Sequence, residues 1–227
     1  LDSDCGSHVI RFAMPLDGET IVNDEIKGPA RFENRQLDDF VLIRSDGTPT
    51  YNFVVVVDDI EMKITSVIRG DDHLNNTPKQ INLYTALGAQ APRFAHLPLI
   101  LGDDGKRLSK RHGATAVGMY KEMGMVKEAL FNYLTRLGWA HEDLELFSSA
   151  EATELFGLSG ISKSGAKWDL QKLLWVNQQW IMRLDTEDLA ERARPFFENA
   201  GIVIDESIYI EVITSMKERA QTLIDLA

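Results

Sequence analysis

The rhythm of apolar and polar positions changes once along the chain, near Gly113. Before it, short apolar runs alternate with turn residues. Residues 9–14 alternate weakly and stop at Pro15, which predicts a strand. The turn Leu16-Asp17-Gly18-Glu19 and a second strand, Thr20 to Asn23, complete an expected hairpin with it. Phe40 to Arg44 predicts another strand, closed by Ser45-Asp46-Gly47-Thr48-Pro49. Val54 to Val57 is β-branched, so propensity alone favours a strand there. Thr65 to Arg69 predicts a strand ending at Gly70, and Thr77-Pro78 opens a helix that Gly88 follows. Ile81, Tyr84 and Leu87 recur at helical spacing on one face of it, and Ala95 to Leu101 is a further apolar strand. Strand, helix and strand at this spacing predict a βαβ unit with parallel pairing.

Beyond Gly113 helical periodicity takes over. Helices are expected over 117–122, 127–137, 149–156, 169–182, 185–199 and about 206–226. Ser148 and Glu151 form a capping-box pattern, and Gly124, Gly138 and Gly201 are candidate stops. Residues 141–156 hold the acids Glu142, Asp143, Glu145, Glu151 and Glu154 and no Lys or Arg. Trp168, Trp175 and Trp180 read as helical core.

Composition narrows the class. At 227 residues, 44% hydrophobic and 26% charged, the chain has the make-up of a soluble globular protein of one to two domains. Cys5 is the single cysteine, so neither an internal disulfide nor a Cys-rich zinc site can form within this chain. Apolar runs such as Phe53 to Val57 are too short to span a bilayer, and no signal peptide is visible; the reducing cytoplasm is the default compartment. The net charge of −11 and pI near 4.9 argue against non-specific nucleic-acid affinity but leave room for a local basic face. The chain starts at Leu1, without Met, and ends in an expected helix, so it is expected to be a segment of something longer.

Two stretches can carry chemistry. Residues 103–113 hold four cations against two acids, just beyond a strand end where open α/β sheets bind ligands. With Gly102, Gly105 and Gly113 allowing a mobile loop, Lys, Arg and Ser there can clamp a phosphate chain; a solvated basic loop is the plainer alternative. In Val67-Ile68-Arg69-Gly70-Asp71-Asp72-His73, an Arg at a strand end can bind a carboxylate bidentately, and Asp72 and His73 can meet a ribose hydroxyl or a phosphate. A structural Arg–Asp pair in the turn is the equal alternative. Tyr51, by itself, reads as a half-buried core residue, and His8, His96 and His141 have no partner at telling spacing.

Taken together these stretches are recognisable. Pro49-Thr50-Tyr51-Asn52-Phe53, Val67 to Pro78, and His96-Leu97-Pro98-Leu99-Ile100-Leu101 running through Arg107-Leu108-Ser109-Lys110-Arg111 to Ala114 closely resemble bacterial glutamyl-tRNA synthetases. Glu128-Ala129-Leu130, Asn132-Tyr133-Leu134, Leu137-Gly138-Trp139 and Leu173-Leu174-Trp175-Val176-Asn177 extend the resemblance, which runs from about Val9 to the end. Several long motifs in order are far more specific than one short pattern.

The resemblance implies a class I aminoacyl-tRNA synthetase that activates L-glutamate with ATP, accompanied by Mg2+, and passes the glutamyl group to tRNA(Glu). Lys110, with Ser109 and Arg107, falls in the second class-defining motif, where Lys110 meets the ATP phosphates. Tyr51 and Arg69 fall at the glutamate, Asp72 near the ATP ribose, and Leu99 and Ile100 beside adenine. It also places Tyr51 to Met62 on a helix, against the valine-run propensity. The implied fold class is α/β plus all-α: the second half of a Rossmann-like parallel sheet, then helices. Residues 1–48 would end an acceptor-stem-binding insertion, 49–113 form the second Rossmann half, 114–186 a helical stem-contact domain, and 187–227 the start of an anticodon-binding domain. A cytoplasmic monomer without membrane contact, and without zinc in this chain, is implied.

Some positions depart from the pattern. The first class-defining motif, His-Ile-Gly-His, is not in the chain, so the chain alone is expected not to activate glutamate. Arg107 replaces the usual Lys, and Gly124-Met125-Val126-Lys127 replaces the commoner Gly-Tyr-Leu-Pro. A glutaminyl-tRNA synthetase, a glutamyl-queuosine tRNA(Asp) synthetase and a non-catalytic tRNA- or partner-binding module are the competing readings.

Overall fold

A computed structural model describes residues 8–109 and 116–227. The chain divides into two compact units, Leu1–Pro98 and Leu99–Ala227.

In the first unit, β2 (Glu19–Asp24), β3 (Gly28–Glu33), β5 (Ser66–Gly70) and β6 (Arg93–Leu97) form a sheet in the order β3-β2-β6-β5. The expected βαβ unit is present: β5 and β6 run parallel, joined through α2 (Thr77–Ala86), and Arg69 lies in register with His96. The sheet is mixed, because β2 pairs parallel with β6 only at Asp24↔Phe94 and antiparallel with β3 along its length. The expected hairpin is therefore corrected. β1 (Ile10–Phe12) pairs with β4 (Phe40–Ile43) in a separate ribbon, and β2 turns back on β3, a strand the polar sequence Gly-Pro-Ala-Arg-Phe-Glu concealed. Within β2, Thr20, Val22 and Asp24 point inward while Glu19, Ile21 and Asn23 face out, so the pleat sends an aspartate into the interior.

The valine run lies on a helix, α1 (Tyr51–Glu61). Val56 is fully buried in a core with Leu83, Tyr84 and Phe94, and this packing overrides β-propensity. The Tyr84 hydroxyl donates to Asp59 Oδ2 at 2.8 Å and ties α2 to α1. The inward face of α2 carries Thr77, Gln80, Leu83 and Tyr84, whereas Leu87, expected on that face, is exposed.

The second unit is helical: α3 (Val117–Glu122), α4 (Lys127–Gly138), α5 (Ser149–Leu155), α6 (Leu170–Arg183), α7 (Thr186–Asn199) and α8 (Tyr209–Met216). The Ser148–Glu151 capping box forms in full. Two buried asparagines carry backbone groups that helices leave over. Asn132 Oδ1 accepts from Phe147 N and Trp180 Nε1, and Asn177 bridges Val126 N to the Gln221 carbonyl. Trp180 and Trp168 pack on this core, Trp168 from the segment preceding α6, but Trp175 is 37% exposed under the Lys172 ammonium. The long final helix expected over 206–226 is also corrected. It stops at Met216, because Asp225 Oδ2 takes the N–H groups of Gln221 and Thr222, and the N–H of Leu223 goes to the Gly124 carbonyl.

Gly124, at φ 76°, follows α3 where a Cβ would stand 2.9 Å from the backbone nitrogens of Leu223 and Ile224. Gly201, at φ 71°, has open space around it. Gly124→Ala is expected to lower unfolding free energy by about 2–4 kcal/mol, and Gly201→Ala by about 1 kcal/mol, since only the first adds a backbone clash to the left-handed φ. Urea unfolding of the two variants checks the difference.

Candidate active site

Arg69 leaves the end of β5 half-buried. Its Nε donates to His96 Nε2 at 3.2 Å, and its Nη2 donates to Thr77 Oγ1 at 2.8 Å and to Gln80 Oε1 at 2.7 Å. The Gln80 amide is oriented in turn by donating Nε2 to Asn52 Oδ1 at 3.0 Å. The Phe94 ring lies 5.7 Å from the guanidinium carbon. All the acceptors are neutral. Among the described residues no carboxylate lies within ion-pair distance of Arg69, and the structural Arg–Asp pair does not form: Asp71 pairs with Lys27 at 2.8 Å instead. Burial pushes the Arg69 guanidinium below its ordinary range, only partly opposed by Tyr51, Asp59 and Tyr84. Burial likewise raises the Tyr84 hydroxyl, with Asp59 adding to the effect.

Tyr51, at the first turn of α1, is 50% exposed and not a core residue. Its hydroxyl sits 3.4 Å from His73 Nδ1, and the two rings are 5.8 Å apart. The Tyr51 hydroxyl also interacts with the Arg69 guanidinium, so the two residues are brought together on one unit. Asp72 lies exposed on the same 3₁₀ turn, Asp71–Asn76, that returns from β5 to α2. None of the bonds from Nε and Nη2 uses Nη1. The freely available two-nitrogen fork expected from sequence is therefore not what the structure presents, because one edge of the guanidinium is already committed to protein.

Leu99, Ile100, Arg107 and Ser109 lie in the second unit. Leu101 and Arg107 bridge antiparallel across a tight turn, with Gly102 N donating to Lys106 O and Leu108 N to Ile100 O, both at 2.8 Å. Gly105, at φ 72°, makes that turn. Within the stretch expected to allow a mobile loop, residues 101–108 form a hydrogen-bonded hairpin, and the Ile100 carbonyl has one partner already. Lys110 lies outside the described residues, as do Arg111, His112 and Gly113. Among the described residues, no group of three or more His, Cys, Asp or Glu side chains is placed to hold a metal ion, and no helix is long and apolar enough to cross a membrane.

A sequence model of the family described as tRNA synthetases class I (E and Q), catalytic domain, matches residues 2–175. The chain belongs to this family. A glutamate–tRNA ligase of Halorhodospira halophila is 52% identical over 220 residues, covering 96% of this chain and 47% of the relative. One from Syntrophus aciditrophicus is 53% identical over 220 residues, with the same shares. The crystal structure of a glutamate tRNA ligase from Elizabethkingia meningosepticum in complex with its amino acid superposes with a TM-score of 0.88 at 37% identity, over 96% of this chain and 47% of that one. The chain therefore spans about half the length of the synthetases it matches. The mixed sheet and the helices up to residue 175 fall within the class I synthetase catalytic domain that the family model describes.

Sequence reasoning missed the groups behind Arg69 in this synthetase fold. His96 is fully buried and Asp24 is 5% exposed; His96 Nδ1 meets Asp24 Oδ2 at 2.5 Å. Asp24 Oδ1 also accepts from the backbone N–H of Ile26, Lys27 and His96. The available signal was a histidine inside an otherwise apolar strand. Burial alone would raise the Asp24 carboxyl, but the hydrogen bonds from Lys27, His96 and Ile26 outweigh it and hold the group below its ordinary 3.8. A carboxyl depressed in the folded state stabilises above its unfolded pKa and loses that stabilisation as pH falls through the folded one. Asp24→Asn is thus expected to cost about 2–3 kcal/mol near neutrality. The gap from wild type should narrow once pH drops below about 4. Chemical denaturation across that pH range checks both the size and the sign.

Proposed function

We propose that this chain is part of a glutamate–tRNA ligase, and that Arg69 and Tyr51 hold the side-chain carboxylate of L-glutamate. One observation carries the reading. A half-buried, permanently charged guanidinium is held by neutral acceptors only, with no carboxylate in reach among the described residues, and such a cation calls for an anionic ligand. Nη1 and the Tyr51 hydroxyl are the groups that would meet the carboxylate. Because the chain spans about half of its relatives, the activity is proposed for the whole protein, and this span alone is inferred not to activate glutamate.

In the proposed reaction the α-carboxylate oxygen attacks the α-phosphorus of ATP. A new O–P bond forms, pyrophosphate leaves, and the glutamyl adenylate results. A hydroxyl of the terminal adenosine of tRNA(Glu) then attacks the acyl carbon and releases AMP. Asp72 would contact the ATP ribose, and backbone groups of Leu99 and Ile100 the adenine. Ser109, Lys110 and Arg107 would act on the phosphate chain. The ordered turn from Leu101 to Leu108 supports this, since it anchors the residues leading into Lys110. Magnesium would arrive with the nucleotide.

The regional roles are part of the same proposal: an acceptor-stem insertion ending within 1–48, the second Rossmann half over 49–113, stem contact over 114–186, and an anticodon-binding start over 187–227. Within the first, the β2–β3 hairpin is built into the sheet that carries Arg69. We take the whole enzyme to be a cytoplasmic monomer.

In the full-length protein, Arg69→Ala is expected to weaken glutamate use by about 2–5 kcal/mol, and Arg69→Lys not to restore it, because an ammonium cannot reproduce the planar donor set. Glutamate-dependent ATP–pyrophosphate exchange in the presence of tRNA(Glu) measures this, and unchanged glutamate kinetics would remove Arg69 from the site. Lys110→Ala is expected to slow adenylate formation by about 10²–10³ with a smaller effect on ATP KM, the pattern of a contact made as charge develops on the phosphates. Rapid-quench measurement of the adenylate within a few-fold of wild type would instead make Lys110 a solvated lysine.

A further inference from the structure

The side chains behind Arg69 form an ordered relay. Register places His96 of β6 directly beside Arg69 of β5, and Asp24 closes the end of β2 against β6. Arg69 is always charged, so its Nε–H must donate, and His96 Nε2, 3.2 Å away, must offer a lone pair. The imidazole proton therefore sits on Nδ1, pointing at Asp24 Oδ2. Asp24 cannot rotate away, because its other oxygen is held by three backbone N–H groups. Thr77 Oγ1 also stands 3.0 Å from His96 Nε2, where its hydroxyl can donate to the same lone pair. The Nδ1–H tautomer is thus favoured from both ends of the ring, by Asp24 and the backbone turn at Ile26 and Lys27 on one side and by Arg69 and Thr77 on the other, and it contributes to the roll of the Arg69 guanidinium. Thr77 and Gln80 hold Nη2 from the other side.

We propose that His96 is a positioning residue for amino-acid recognition: fixed by Asp24, it locks the Arg69 guanidinium so that Nη1 faces the substrate carboxylate. This rests on the reading of Arg69 as the glutamate-binding cation. His96 touches no substrate and acts through Arg69. Its neutrality has a second consequence. The Asp24 charge stands one residue back, so it orients the cation without pairing with it, and the ligand carboxylate remains the guanidinium's direct counter-charge.

The test uses the full-length enzyme and a cycle of variants. An asparagine amide at position 96 keeps a donor near Nδ1 for Asp24 but has no acceptor at the place of Nε2; a glutamine reaches that place. His96→Asn should raise glutamate KM by about 10-fold, the scale of losing one orienting hydrogen bond, while ATP KM stays within two- to three-fold. His96→Gln should recover only part of the loss, because its amide oxygen can accept from Arg69 Nε while Asp24 loses the imidazole donor. In an Arg69→Ala background His96→Asn should add nothing to glutamate KM, because the residue acts only through the lost guanidinium. An equal rise in both KM values, an additive effect in that background, or no effect of His96→Asn on glutamate KM would overturn the inference. If His96→Asn does not fold, the ¹⁵N spectrum of the wild-type histidine side chains keeps the inference testable: His96 protonated on Nδ1 with a bare Nε2 is expected, and a proton on Nε2 would overturn it. Arg69→Ala alone separates the two levels. If it leaves glutamate KM unchanged, the binding reading itself fails. If it raises KM and the His96 variant does not, the relay alone fails.

Discussion

A guanidinium cannot give up its proton on burial, so a protein that withdraws Arg69 from water must solvate the charge with its own dipoles. Much of the first unit is arranged around that constraint. The acceptors come from β6, from the start of α2 and, through Gln80 and Asn52, from α1. The Phe94 ring adds a π face. None of these groups carries a negative charge. The nearby acids are engaged elsewhere: Asp71 with Lys27, Asp59 with Tyr84, and Asp24 with His96 and the backbone. A carboxylate in direct contact would stabilise Arg69 better, but on the proposed reading it would also occupy the position the substrate anion needs. On that reading the arrangement exchanges local stability for an available charge, a common cost at functional sites.

Much of the fold was legible because its signals are local. The βαβ unit around α2, the capping box at Ser148 and the helices from Val117 to Asn199 follow from periodicity, Pro at a helix start and Gly past helix ends. The failures share one cause, which is that pairing and burial are decided at a distance. β1 and β2 are both good strands joined by a good turn, yet each finds its partner elsewhere. β3 carries Pro29, Arg31 and Glu33 because it is an edge strand, and edges tolerate proline and favour charge, so it read as loop. Val56 is helical because of what it packs against, which no window of local sequence contains.

The site divides in the same way. Arg69 stood out because an arginine ending an apolar strand is chemically conspicuous, and Tyr51 entered only through resemblance to known synthetases. Its exposure, against the core position that its own character suggested, is what a ligand-facing hydroxyl needs. Asp24 and His96 are 72 residues apart, and nothing in either neighbourhood announces the other. Their meeting depends on β2 lying beside β6, which is the part of the topology that the expected hairpin had assigned differently.

The neutral shell also bears on how such a site would separate a carboxylate from a carboxamide. Hydrogen-bond pattern alone is a weak filter here. Nη1 can donate to an amide carbonyl as readily as to a carboxylate oxygen, and the Tyr51 hydroxyl can turn to donate or accept. Charge is the stronger filter. A carboxylate compensates a cation already removed from much of its water, whereas a carboxamide of the same shape occupies the site and leaves that cation uncompensated. The penalty for the neutral ligand grows with the depth of burial and shrinks with every counter-charge the protein places next to the guanidinium. On the proposed reading, discrimination against the amide is therefore a property of the whole ring of neutral acceptors around Arg69, and setting Asp24 behind an imidazole is one of the features that sustains it.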